Sequence, residues 1–259
     1  MKTNVPVDSG TAPVAEGRYP RPLTGVPAQP GPPAPETRRS DRPGRPGRFR
    51  PWRLLPTPAR TPFTCAYAVV LVATSLFMEF ADPDTVAAAL RASSTDVAHL
   101  VRSPVVTLVA SALWIVGGVT SPFALAFVIV LSALERRTGG LRTAGIFVLG
   151  HVLATLATEI PVGLSVMTGH LPESSLHRLD YGVSFGVAAS IGALAGLLTP
   201  WPRRLVLAVV VAMLTGDLLT FTDPLASWGH LLALAVGVTT WPLLRFRRGA
   251  TRYDRAATG

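Results

Sequence analysis

The sequence predicts an all-α fold, a polytopic membrane bundle of six transmembrane helices. Three observations predict it. The mean hydropathy is +0.40 and 49% of the 259 residues are hydrophobic, which is high for a soluble globule. Several apolar runs approach or exceed the roughly 20 residues that a bilayer-spanning helix requires. The arginines behind the net charge of +9 crowd at the two ends and in short connections, leaving the apolar runs almost free of them. That distribution suits an orienting charge bias and not a nucleic-acid-binding surface, so the expected partners are the lipid bilayer and other membrane proteins, with no nucleic acid.

Residues 1–60 hold more than half of the prolines, together with Arg38, Arg39, Arg42, Arg45, Arg48, Arg50 and Arg53, and show no helical or strand periodicity. Such a segment cannot bury enough apolar surface to offset its ordering entropy. It reads as a disordered Pro/Arg-rich cytoplasmic tail that fixes topology, with a binding arm for anionic lipid or a proline-reading partner as the other reading. Residues 61–245 read as the membrane domain and 246–259 as a short basic cytoplasmic tail. The first apolar run begins near Pro62, too late for a cleaved signal peptide, so it is expected to insert as an uncleaved anchor. The single cysteine, Cys65, lies in that run, which leaves no intramolecular disulfide and no thiolate set for zinc or redox work. No metal and no cofactor is expected.

The first span is expected over 63–80, ending at Glu79, Asp82 and Asp84, with a polar stretch through Asp96, His99 and Arg102. Apolar content then continues from 104 to 134, too long for one span and interrupted by Gly117, Gly118, Thr120, Ser121 and Pro122. It divides into an interfacial or re-entrant piece near 104–117 and a second span near 119–134. A charged turn, 135–142, carries Glu135, Arg136, Arg137, Gly139, Gly140 and Arg142. The third span is expected over 143–166, followed by a polar connection, 167–180. The fourth, 181–198, is rich in small residues that let neighbouring helices approach closely, and reads as the central helix. The fifth and sixth are expected over 205–221 and 227–244.

Six spans agree with the charge rule. The N-terminal tail, the 135–142 turn, the 200–204 turn and the C-terminal tail carry arginine clusters, whereas 81–104 is mixed, 167–180 has one arginine and 222–226 has none. Both termini of this multi-pass cell-membrane protein are therefore expected in the cytoplasm.

In that topology Ser184 and His230 both lie about one turn below the outer ends of their helices, at matching depth. Ser184, Ala188, Gly192 and Ala195 form one small-residue stripe and His230, Ala233 and Gly237 another, so the two backbones can come close enough for serine to bond histidine. A serine becomes a strong nucleophile when an imidazole takes its proton, and a histidine within a span is costly without a partner or a wet cavity. The plainer reading is that Ser184 bonds its own helix backbone and His230 faces interfacial water.

At these residues the chain resembles the rhomboid family of intramembrane serine proteases, over roughly residues 60–245. Gly182-Val183-Ser184 resembles the start of the family's G-x-S-G on the fourth helix. Gly229-His230, followed by small residues through Gly237, resembles its sixth-helix histidine, and Glu135-Arg136-Arg137-Thr138-Gly139 is similar to its glutamate, basic and glycine turn after the second helix. The resemblance implies Ser184 as nucleophile and His230 as base of a serine endopeptidase cleaving membrane-anchored polypeptides.

Two departures accompany it. Phe185 stands where the family has its second glycine, so the pattern reads G-x-S-F-G. The family's second-helix histidine and asparagine, which help to stabilise the oxyanion, have no counterpart between Trp114 and Glu135. Gly182, Thr120 and Ser121 are the oxyanion candidates that remain, and losing one donor typically costs roughly two to three orders of magnitude in rate. The alternative function is accordingly a catalytically inactive rhomboid-like protein that binds or escorts other membrane proteins.

Gly182 to Gly186 also matches a nucleophile elbow, but that motif belongs on a strand-to-helix turn of a soluble sheet. His151, in the third span, is expected to bond a neighbouring helix, and Asp217, in the fifth, to cap or bond one, with an ion route as its other reading. A small transporter would need both to line a polar path, and inverted-repeat signals are lacking. His170 and His177 are expected in solvent. The arginine-rich, lysine-poor composition hints at a GC-rich bacterial genome.

Overall fold

The computed structural model describes residues 56–221 and 223–244, and among these it is helical with no strand. The proposed tails lie outside the described residues, apart from residues 56–60. The helices are α1 (Pro62–Phe80), α2 (Pro83–Ala92), α3 (Val97–Arg102), α4 (Pro104–Ser111), α5 (Pro122–Thr138), α6 (Gly140–Met167), α7 (Ser184–Ala195), α8 (Pro200–Leu219) and α9 (Pro224–Thr239), with a 3-10 turn at Glu173–His177. A helix occupies each of the six regions expected to span. Two of them, α1 and α6, are long and apolar enough to cross a membrane, and α7 and α9 are shorter apolar helices.

Local chemistry explains the boundaries. Six helices begin on a proline, whose fixed φ suits the first helical position and whose missing N–H is not needed there. The Asp82 side chain caps α2 by accepting from Asp84 N and Thr85 N, and Asp96 caps α3 by accepting from His99 N. The polar stretch read as a connection therefore contains two helices. The expected interfacial piece is α4, followed by a non-helical passage in which Gly117 and Gly118 have φ of +78° and +70°.

The charged turn differs from expectation. Residues 135–138 belong to α5 and 140–142 to α6, leaving Gly139, at φ +86°, as the sole junction residue. Glu135 is 2% exposed because its carboxylate caps another helix: Oε1 accepts from Phe63 N at 2.9 Å, and Oε2 accepts from Thr64 N at 2.8 Å and from the Thr64 hydroxyl at 2.6 Å. A carboxylate there satisfies orphan amides and complements the positive end of the α1 dipole.

The central helix α7 is 12 residues, about 18 Å at 1.5 Å per residue, and so shorter than the 18-residue stretch read from sequence. It is buried along most of its length and packs on α5, α6, α8 and α9. Its last carbonyls are capped from beyond the helix: Arg203 donates to Ala195 O, and to Leu198 O in the turn that follows, and Trp241 Nε1 donates to Gly192 O. The small-residue stripes do bring α7 and α9 together. A Cβ on Gly192 would lie 2.3 Å from Leu234 O, and one on Gly237 would lie 1.9 Å from Ala189 O. On the α1 side the core is Leu71, Ile115, Phe127, Leu131, Phe147, Val183 and Val187, with Tyr67 set edge-on against both Phe127 and Phe147. Outward-facing positions carry large apolar side chains, among them Val69, Leu125, Leu164, Trp201 and Leu219, a surface suited to lipid.

Candidate functional site

Ser184 is the first residue of α7 and is half-buried. The turn before it is held against the end of α4: Gly182 N donates to Ser111 O at 2.9 Å and Val183 N to Trp114 O at 3.1 Å. Gly182 has φ +128°, a conformation few residues with a Cβ adopt.

His230 lies in the second turn of α9, half-buried, with its ring between two aromatics. It stacks on Phe123 with centroids 6.3 Å apart and 16° between planes, and meets Phe185 edge-on at 5.1 Å and 70°. Its Nε2 is buried and makes no hydrogen bond. Asp217 lies on the exposed side of α8, and Asp223 is the N-cap of α9. Helices α7 and α9 bring Ser184 and His230 to the same end of a tightly packed pair, but no hydrogen bond joins the two side chains among the described residues. The Phe185 ring, edge-on to His230, also packs on the α9 backbone, since a Cβ on Gly229 would lie 2.4 Å from it.

The three oxyanion candidates have these surroundings. The Gly182 amide is used by Ser111 O. Ser121 caps α5 by accepting from Ala124 N at 3.2 Å, and Thr120 beside it is exposed. Both line a cavity of about 470 Å³ with Leu71, Ile115 and Phe127, which neither Ser184 nor His230 enters.

His151 bonds a neighbouring helix, as its mid-span position led us to expect: Nε2 is 3.1 Å from both Leu108 O and Ser111 Oγ of α4. His170 and His177 are exposed, with His170 Nδ1 2.8 Å from the Thr168 hydroxyl.

The structure also shows a polar centre that sequence reasoning missed. Arg178 Nη2 donates to Glu159 Oε1 at 2.7 Å and lies 3.4 Å from Asp180 Oδ2, while Nη1 lies 3.4 Å from Asp223 Oδ1. Glu159 is 2% exposed, so one arginine ties α6, the approach to α7 and the start of α9 into a single cluster. Burial pushes the Asp180 carboxyl above the usual aspartate range, although Arg178 opposes the shift. The available signal was a carboxylate deep within an apolar run, which requires a cationic partner. Among the described residues no three His, Cys, Asp or Glu side chains gather to hold a metal ion.

The family model described as rhomboid-like protein matches residues 59–250. No curated protein and no solved structure matches the chain.

Proposed function

The chain belongs to the rhomboid-like protein family, and on that premise we propose that this membrane protein spans the bilayer six times with both termini cytoplasmic and acts as an intramembrane serine endopeptidase. Ser184 is the nucleophile and His230 the base. The observation that carries the reading is the buried, unbonded Nε2 of His230, on a helix packed backbone to backbone against the one that begins at Ser184. Other buried polar atoms here also lack a partner, among them Ser132 Oγ and Thr155 Oγ1, so the support comes from an open imidazole nitrogen together with the neighbouring serine helix; apo geometry often lacks a catalytic hydrogen bond that forms with substrate.

In the reaction Ser184 Oγ attacks the scissile carbonyl of a membrane-anchored polypeptide while its proton passes to His230 Nε2. The tetrahedral intermediate collapses with loss of the amine, which takes that proton, and water then releases the acyl group by the reverse sequence. With the Gly182 amide donated to Ser111 O, the oxyanion falls in this reading to the amides of the first turn of α7, which have no intrahelical acceptor.

A second reading is favoured by Phe185. Its ring lies against His230 where the family pattern has glycine, which suits an inactive protein that binds or escorts other membrane proteins. A fluorophosphonate probe applied to the purified protein in detergent separates the two. Labelling of the parent, lost in both Ser184→Ala and His230→Ala, supports the protease, whereas equal background labelling of all three folded proteins sinks it and leaves the binder.

A further inference from the structure

The four consecutive carbonyls that end α4 and follow it all accept hydrogen bonds from distant parts of the chain. Ser111 O accepts from Gly182 N at 2.9 Å, and Trp114 O from Val183 N at 3.1 Å. Between them, Ala112 O accepts from the Tyr67 hydroxyl at 2.5 Å and Leu113 O from the Thr74 hydroxyl at 2.7 Å. This node therefore fixes the turn that delivers Ser184, and braces it on α1.

What braces the node itself is His151. Near the end of α4 the Leu108 carbonyl has two side-chain partners. His151 Nε2 lies 3.1 Å from Leu108 O and 3.1 Å from Ser111 Oγ, and Ser111 Oγ in turn donates to Leu108 O at 3.2 Å. The Leu108 carbonyl can only accept, so Nε2 carries the hydrogen and the three groups form one shared bond. His151 and Ser111 are 4% and 0% exposed, so the bond is made out of solvent.

We propose that His151 is a positioning residue that sets the Gly182-Val183 turn, and through it Ser184, by way of Ser111. The link to catalysis rests on Ser184 being the nucleophile; the link to the turn does not. Removing the imidazole frees the end of α4 to shift, and the two amides bonded to that end shift or open with it.

The test compares the full-length protein in detergent with His151→Leu, which fills the space without a donor, and His151→Gln, whose amide can still donate to Leu108 O. The first readout is hydrogen exchange at Gly182 and Val183. The second is the rate of fluorophosphonate labelling against probe concentration. His151→Leu is expected to speed exchange at both amides roughly tenfold, the equivalent of about one hydrogen bond. Maximal labelling should slow by a similar factor at unchanged half-saturating probe, and His151→Gln should recover both. Exchange unaltered in His151→Leu overturns the proposal, whatever the labelling does. Faster exchange in a protein whose parent never labels supports the structural link and overturns the nucleophile reading alone. If His151→Leu does not fold, Ser111→Ala removes the Nε2–Oγ contact while leaving Nε2 on Leu108 O, and exchange at Gly182 and Val183 unaltered in that variant overturns the route through Ser111.

Discussion

Replacing Glu135 by alanine tests how α1 is held. The carboxylate accepts three bonds from two adjacent residues of the first turn of α1, and two of them, from Thr64 N and Oγ1, are buried. Hydrogen bonds to a charged group contribute about 1.5–3 kcal/mol each, and truncating an N-cap costs about 0.5–2 kcal/mol. Because the three share one carboxylate they do not add fully, and an expected loss of about 3–5 kcal/mol follows. Glu135→Gln should fall between alanine and parent: its carbonyl can serve the Thr64 pair, but its NH2 then faces the Phe63 amide, donor against donor. Gly140 sharpens the point, since a Cβ there would lie 3.0 Å from Glu135 Oε1, so the carboxylate occupies a space shaped for it. Thermal unfolding in detergent reads the effect. At about 2–4 °C per kcal/mol for a domain of this size, Glu135→Ala should melt roughly 10 °C below the parent, with fast exchange confined at first to residues 62–66. A melting point within about 2 °C of the parent, with the Phe63 and Thr64 amides still protected, would refute the capping argument.

Arg178→Ala strands the buried Glu159 carboxylate beside Asp180, and removing one partner of a buried pair costs about 3–5 kcal/mol; a thermal melt indistinguishable from the parent's would show that the pair holds nothing. Asp180 gives a pH signature of known sign. Its folded pKa is raised by burial, so its contribution is fully present below the ordinary aspartate range near 3.9 and is lost as pH rises through the raised value. The melting point should therefore fall as pH rises from about 4, and Asp180→Asn should flatten that part of the profile; an unchanged slope in the variant would assign the effect to another group.

The positions of the apolar helices were legible because hydropathy marks them, as those of α2 and α3 were not, and the pairing of α7 with α9 was legible because Gly192 and Gly237 have no side chain to keep the backbones apart. The ends were less so. Apolar runs place the fifth and sixth helices at 205 and 227, whereas the helices start at Pro200 and Pro224, where proline at the first position is the better marker. Hydropathy cannot see that Arg203 belongs to a helix when its guanidinium folds back to cap α7. Glu135 read as part of a turn for the same reason: its acceptors serve residues 72 and 71 positions earlier in the chain, and no local pattern encodes that reach.

The candidate site shows the same limit more sharply. Sequence spacing put Ser184 and His230 on facing helices, and that is a statement about Cα positions. Whether a hydroxyl reaches an imidazole depends on the turn before Ser184, and that turn is set by backbone carbonyls of Ser111 and Trp114, which every residue type possesses equally. Side-chain identity enters one step further out, where His151 and Ser111 secure the end of α4, and Tyr67 and Thr74 secure the carbonyls between. A polar side chain in this protein is thus more often an anchor for backbone than a reactive group. The unbonded Nε2 of His230 shares that state with other buried atoms, among them Ser132 Oγ, Thr155 Oγ1 and His151 Nδ1, and carries the functional reading because its helix packs backbone to backbone against the one that begins at Ser184.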